Sequence, residues 1–96
     1  MMENDVEVTV ILCAYNEESI INDAIERVDD VMMEMGSNYE IIVVDDGSVD
    51  ETAQKAIAYM NEKGNGHLKV VRYKTNKGKG NAIRAGVAEA RAVLSS

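Results

Sequence analysis

The apolar and polar positions of this chain follow two periods in turn, and their order predicts three strands that alternate with three helices. Residues 41–44 are four consecutive branched aliphatic residues, a pattern typical of a parallel strand that is buried on both faces. Apolar residues recur at helical spacing after each predicted strand. The predicted strands are Val6 to Tyr15, Tyr39 to Asp45 and Leu68 to about Tyr73, and the predicted helices run from about Asn16 to Met35, from Ser48 or Val49 to Lys63, and onward from Gly80 or Asn81.

Two of the predicted helices begin with residues that commonly cap a helix. Asn16 is a good N-cap for the first helix, and the acidic Glu17 beside it favours the positive end of the helix dipole. Ser48 and Glu51 have the S-x-x-E spacing of a capping box, which predicts that the second helix begins at Ser48. Gly36 is the expected end of the first helix.

The order of the elements predicts an α/β fold, a three-layer Rossmann-like β-α-β-α-β-α arrangement with parallel strands. Two right-handed crossovers in the same direction give the strand order 3-2-1, with the first two helices on one face of the sheet. The first strand then lies at an edge, although residues 6–12 are more apolar than an exposed edge usually is. We therefore expect a neighbouring strand to be missing there, and we expect self-association through this edge.

The composition limits the class of protein and the kinds of site that the chain can form. Ninety-six residues suffice for one domain, and we expect disorder in residues 1–5 and a domain over residues 6–96. A net charge of −7 without a visible basic patch argues against a nucleic-acid partner.

The cysteine and histidine content limits the disulfides and metal sites that the chain can form. The single Cys13 excludes an internal disulfide and fits a reducing cytosol. His67 is the only histidine, so Cys/His spacing cannot hold a metal ion. Residues 1–5 lack the features of a signal peptide, and no apolar run approaches the ~20 residues that span a bilayer. A cytoplasmic location without a transmembrane segment is therefore expected.

Asp45 and Asp46, directly after the buried second strand, are the strongest chemical signal in the chain. Ligands of open α/β sheets bind at the carboxyl ends of the strands. Two carboxylates there suit hydrogen-bond donors, such as base N–H groups or ribose hydroxyls, or a bound cation. The alternative interpretation is a pair of acids that merely cap the following helix.

Two further segments follow neighbouring strands at the same edge. Tyr15 could stack on a base, and Glu17 could accept a hydrogen bond from a ribose. The basic, glycine-containing segment 74–80 could hold a diphosphate, because glycines let the backbone approach and lysines neutralise charge. A loop tyrosine with a routine cap and a solvated basic turn are the corresponding alternatives. The three segments together predict a crevice for a nucleotide.

Segments 10–18, 42–52 and 76–86 resemble family 2 glycosyltransferases, and the nearest subgroup is the dolichyl-phosphate mannose or glucose synthases. The resemblance implies that the chain is the N-terminal half of a GT-A domain and binds the nucleotide part of a nucleotide-sugar donor. The nucleotide-sugar-binding residues that it implies are Ala14, Tyr15, Glu17, Asp45 and Asp46, with Gly78 and Lys79 near the base or diphosphate.

The chain departs from the family pattern in two respects. Cys13 stands where the family usually has proline. The metal-binding D-x-D motif of the family normally follows the third helix, so it is expected beyond Ser96, as is the acceptor-activating base. The resemblance therefore implies no catalytic or metal-binding residue in this part of the enzyme, and no transferase activity from it alone.

The resemblance also implies what the full-length enzyme does. It would use Mg²⁺ or Mn²⁺ to neutralise the diphosphate leaving group. It would transfer a hexose from a UDP- or GDP-hexose to a polyprenyl phosphate, such as dolichyl phosphate, or to another glycan. The cytosolic face of a membrane is the expected location.

Other classes of protein remain open at this point. A receiver-like phospho-acceptor module would also place two acids, here Asp45 and Asp46, after a buried strand. Stable phosphorylation by acetyl phosphate would favour it. A dinucleotide-binding domain is disfavoured because no G-x-G-x-x-G follows a strand. A pure interaction module is the third alternative.

Overall fold

Three strands and two helices alternate along the part of the chain that the computed structural model describes, which comprises residues 6–63, 66–73 and 83–84. The elements are β1 (Val8–Ala14), α1 (Ile21–Met35), β2 (Tyr39–Asp46), α2 (Thr52–Lys63) and β3 (Leu68–Tyr73). The N-terminus predicted to be disordered, the basic segment 74–80 and most of the predicted third helix lie outside the described residues. Of that helix only residues 83 and 84 are described, and they are helical.

The sheet has the predicted topology. All three strands are parallel, and their order β1-β2-β3 confirms the predicted order 3-2-1. The register aligns Ala14 of β1 with Asp45 of β2 and Asp45 with Arg72 of β3. Three residues from three distant parts of the sequence therefore lie at one level, where the strands end.

The central strand β2 organises the core, since every one of its residues is buried. Successive side chains of a strand point to opposite faces. Ile41 and Val43 pack against α1 and α2, whereas Ile42 and Val44 belong to a second cluster on the other face. Burial on both faces explains the continuous aliphatic run in the sequence. Cys13 packs against the second cluster as a partly buried side chain.

Both predicted helix starts are wrong, although the helices themselves are present. The first helix begins at Ile21 and the second at Thr52, several residues after Asn16 and Ser48. Asn16 adopts the left-handed conformation with φ of 52°, which an N-cap residue does not have. The polar side chains of Asn16 and Ser48 instead join the two loops to each other, as described below. The predicted end of α1 is confirmed, because Gly36 has φ of 72° and donates its N–H to the carbonyl of Met33.

The β1 edge leads to a prediction about association. Within the described residues β1 pairs with β2 alone, and the seven residues of β1 include no charge and no proline, the usual protection of an exposed edge. We expect the chain to self-associate with rising concentration in sedimentation experiments, or to exchange amide hydrogens rapidly along the β1 edge. The β3 edge is an internal control, because it carries Lys69 and Arg72. A monomer at high concentration, with β1 amides strongly protected, would contradict the prediction.

Candidate functional site

The candidate site lies at the carboxyl edge of the sheet, where β2 ends in Asp45 and Asp46. The two acids are consecutive, so their side chains lie on opposite faces of the sheet. Asp45 shares the face of Val43, which is covered by the two helices, and Asp46 shares the face of Val44. Both acids are buried, with 0% and 5% of their surfaces exposed. The pair is therefore two separate sites and not one cluster of carboxylates.

Only one of the two carboxylate oxygens of Asp45 accepts a hydrogen bond from a described residue. Its Oδ1 accepts a hydrogen bond of 3.1 Å from the backbone N–H of Ser48. Its Oδ2 is buried and has no hydrogen-bond partner among the described residues. Nε of Arg72 lies 3.7 Å from Oδ2, which is close enough for an ion pair but too far for a hydrogen bond. A buried carboxylate oxygen in this state has the capacity to accept a hydrogen bond from a ligand, which would remove the cost of leaving it unpaired.

Two loops meet at this edge and hold each other in place. The backbone N–H of Asn16 donates to Oγ of Ser48 over 2.8 Å, and the N–H of Val49 donates to Oδ1 of Asn16 over 2.9 Å. The left-handed backbone of Asn16 is compatible with both bonds, because asparagine tolerates this conformation better than most residues do. The loop after β1 and the loop after β2 are thus joined by a reciprocal pair of hydrogen bonds.

A second set of hydrogen bonds joins the same two loops a few residues further along the chain. The N–H of Glu17 donates to Oγ1 of Thr52 over 2.9 Å, and the N–H of Glu18 donates to Oδ2 of Asp50 over 3.2 Å. The Thr52 hydroxyl donates in turn to Oδ1 of Asp50, which also accepts from the N–H of Thr52. We call the bonds that link Asn16, Glu17 and Glu18 to Ser48, Val49, Asp50 and Thr52 the interloop clamp.

The electrostatics of Asp50 reflect this clamp. Burial opposes the charge of its carboxylate, but hydrogen bonds from the Thr52 hydroxyl and from the N–H groups of Thr52 and Glu18 outweigh that effect. The pKa of Asp50 is therefore lower than the ordinary value for aspartate. The clamp is assembled around an ionised carboxylate.

The structure brings together most of the residues that the sequence indicated. Ala14 is buried beside Asp45 in the sheet register. Tyr15 follows it with 47% of its surface exposed. Glu17 is partly buried, and its Oε1 accepts a 3.3 Å bond from the N–H of Tyr15. Asp46 lies on the opposite face from Asp45. The remaining two predicted residues, Gly78 and Lys79, lie outside the described residues.

Sequence reasoning missed Arg72 and the interloop clamp. The period of two along β3 places Arg72 on the same face as Leu68 and Val70, and this much is visible in the sequence. That it lies opposite Asp45 depends on the register between strands, which the sequence does not show. The clamp bonds join residues more than 30 positions apart.

The described residues form neither a cluster of metal ligands nor a helix that could cross a membrane. In the described part of the chain, no group of three or more His, Cys, Asp or Glu side chains is placed to hold a metal ion. The helices of that part are too short or too polar to cross a membrane.

Comparison with known proteins places the chain among glycosyltransferases. Residues 9–93 match the family model for glycosyl transferase family 2. The dolichyl-phosphate beta-glucosyltransferase of Dictyostelium discoideum is 33% identical over 89 residues, covering 88% of this chain and 27% of that protein. The dodecaprenyl-phosphate galacturonate synthase of Rhizobium johnstonii is 34% identical over 88 residues, covering 92% of this chain and 26% of that protein.

A solved structure agrees with the sequence comparisons. The mannosyltransferase PcManGT from Pyrobaculum calidifontis, in complex with GDP-Man and Mn²⁺, superposes with a TM-score of 0.73 and 27% identity. The superposition covers 88% of this chain and 24% of that one, and it confirms the predicted fold as part of a GT-A domain. The chain spans about a quarter of the length of the curated relatives that it matches. Because the family model covers most of its residues, the chain belongs to glycosyl transferase family 2.

Proposed function

We propose that residues 6–96 bind the nucleotide part of a nucleotide-sugar donor at the carboxyl edge of the sheet. The observation that carries the proposal is Oδ2 of Asp45, a buried acceptor without a hydrogen-bond partner among the described residues. It lies at the edge where open α/β sheets bind ligands, in a chain that belongs to a glycosyltransferase family. A base N–H is a donor of the kind that this oxygen requires.

The loop after β1 supplies the other contacts in this proposal. The ring of Tyr15 is about half exposed, so it offers a flat surface on which a base can stack. Glu17 uses one carboxylate oxygen for the long bond to Tyr15 and can accept from a ribose hydroxyl with the other. The interloop clamp fixes these two residues relative to Asp45. Gly78 and Lys79 complete the proposed site near the base or diphosphate.

For the full-length protein we propose transfer of a hexose from a UDP- or GDP-hexose to a polyprenyl phosphate, at the cytosolic face of a membrane. The relatives support the acceptor class, since two are named for dolichyl phosphate and dodecaprenyl phosphate. GDP-Man in the solved relative supports the donor class. The comparisons give no support to the receiver-like alternative.

A divalent metal is expected in the full-length protein, at a site outside the residues that the structure describes. The solved relative contains Mn²⁺, whereas the described residues of this chain offer no cluster of metal ligands. Asp45 and Asp46 lie on opposite faces of the sheet and do not converge on one ion. We therefore propose that Mg²⁺ or Mn²⁺ is held by acids in another part of the enzyme, where it neutralises the diphosphate leaving group.

A nucleotide titration tests the proposal. We expect UDP or GDP to bind the 96-residue chain with a Kd of about 1 mM (~4 kcal/mol) and to shift the amide resonances of Tyr15, Asp45 and Gly78. Mn²⁺ should change this Kd little, because its ligands belong elsewhere. Mg²⁺ provides a diamagnetic control for the same experiment. A gain of about tenfold or more with either ion would show that Asp45 and Asp46 bind metal, and an absence of shifts would reject nucleotide binding.

A further inference from the structure

Arg72 is a charged residue that lies beside Asp45 in the candidate site. It lies on β3 in register with Asp45, on the face of the sheet that carries the helices. About half of its side chain is exposed, and its Nε approaches Oδ2 of Asp45 to 3.7 Å. The guanidinium therefore lies next to the oxygen of Asp45 that accepts no hydrogen bond from the described residues.

A purely structural ion pair does not account for this geometry. An arginine that compensates a buried carboxylate usually donates one or two short hydrogen bonds to it. Here the charges are close enough to attract each other, but Oδ2 still has no hydrogen bond from a described residue. The carboxylate therefore keeps its capacity to accept from a ligand, while the half-exposed Arg72 side chain carries N–H donors beside it.

The two side chains offer complementary chemistry side by side. A carboxylate can only accept hydrogen bonds, and a guanidinium can only donate them. Together they match a group in which an N–H lies next to a carbonyl. Uracil and guanine present a ring N–H beside a ring carbonyl, whereas cytosine and adenine present a ring nitrogen acceptor beside an amino group.

We propose that Arg72 is a specificity-determining residue that donates to the base carbonyl next to the N–H accepted by Asp45. The inference rests on the proposed nucleotide binding and adds the reason for the choice of base. Asp45 and Arg72 select uracil or guanine nucleotides, and they reject cytosine and adenine nucleotides by opposing acceptor to acceptor and donor to donor. Because about half of the Arg72 side chain is exposed, the side chain can shift toward the carbonyl without unpacking the core.

UDP and CDP make the sharpest pair of probes, because they share ribose and diphosphate and differ only in the base. We expect the 96-residue chain to bind UDP at least about tenfold more tightly than CDP, in line with the discrimination that paired base contacts provide. Arg72→Met should lower the affinity for UDP by about fivefold or more and leave that for CDP nearly unchanged. Arg27→Met is the matched control, since it removes the same charge from an exposed position on α1 and should preserve the ratio.

The possible results separate this inference from the proposed function. Equal affinities for UDP and CDP in the wild-type chain, with shifts at Asp45, would overturn the role of Arg72 and leave nucleotide binding intact. An unchanged ratio of the UDP and CDP affinities in Arg72→Met would also overturn the role of Arg72 and leave nucleotide binding intact. No shift with UDP, CDP, GDP or ADP would overturn both. The wild-type ratio needs no variant, so it tests the inference even if Arg72→Met fails to fold.

Discussion

Asp45→Asn is expected to weaken binding of UDP by roughly 1.5–3 kcal/mol, the cost of losing a hydrogen bond to a charged group. In the proposed complex the carboxylate accepts with both oxygens, since Oδ1 already accepts from the N–H of Ser48 and Oδ2 would accept from the base. In asparagine one of the two positions becomes an amino group. Either the Ser48 N–H or the base N–H would then face a donor instead of an acceptor.

Asp46→Asn is the matched control for this prediction. It makes the same chemical change one residue further along β2, but on the opposite face of the sheet. We expect the shifts caused by UDP to persist in this variant and to fall below detection in Asp45→Asn at the same concentrations. Urea unfolding of both variants separates a loss of binding from a loss of fold. Equal effects of the two substitutions, or a larger effect at Asp46, would contradict the assignment of the base contact to Asp45.

The sequence predicted the buried strand that these two acids follow. The aliphatic run 41–44 predicts a strand buried on both faces, and the period of two places consecutive residues on opposite faces. The strand order followed from two right-handed crossovers that run in the same direction. These rules depend on local pattern and on chirality, so a single sequence contains what they need.

The predicted starts of both helices were wrong because the predicted capping residues bond to another loop. Capping rules assume that a polar side chain bonds to backbone N–H groups two or three residues away. Ser48 accepts instead from Asn16, and Asn16 accepts from Val49, more than 30 residues distant in each case. The same polar residues that can cap a helix can also join two loops. Only the tertiary structure decides between these uses.

Arg72 illustrates a second limit of prediction from the sequence. Its face of β3 can be predicted from the period of two, but its neighbour on β2 depends on the register between strands. A shift of the register by two residues would keep every apolar side chain on its face and would move Arg72 away from Asp45. The pairing of Arg72 with Asp45 is therefore a property of the folded sheet that the sequence does not display.

The second large effect is expected from Thr52→Val, which removes a buried hydroxyl from the interloop clamp. The hydroxyl accepts from the N–H of Glu17 and donates to Asp50, and the side chain of Thr52 is fully buried. Valine has nearly the same shape but forms neither bond, so the N–H of Glu17 loses its partner. We expect the free energy of unfolding to fall by roughly 1–3 kcal/mol, and binding of UDP to weaken because Tyr15 and Glu17 are less firmly placed.

Thr52→Ser keeps the hydroxyl and removes only a methyl group, so it should retain most of the stability and most of the binding. Urea unfolding at several pH values tests the mechanism. Burial opposes the charge of Asp50, yet the hydrogen bonds it accepts lower its pKa below the ordinary value. A lowered pKa in the folded state gives stability that is present above the unfolded-state pKa and is lost as the pH falls.

Without the Thr52 hydroxyl the pKa of Asp50 moves back toward its ordinary value, so Thr52→Val has less of this contribution to lose in acid. The difference in unfolding free energy between the wild type and Thr52→Val should therefore be largest near neutral pH and shrink as the pH falls. A difference that stays constant over this range would show that the hydroxyl does not act through the Asp50 carboxylate. In that case the bond to the N–H of Glu17 would account for the whole effect.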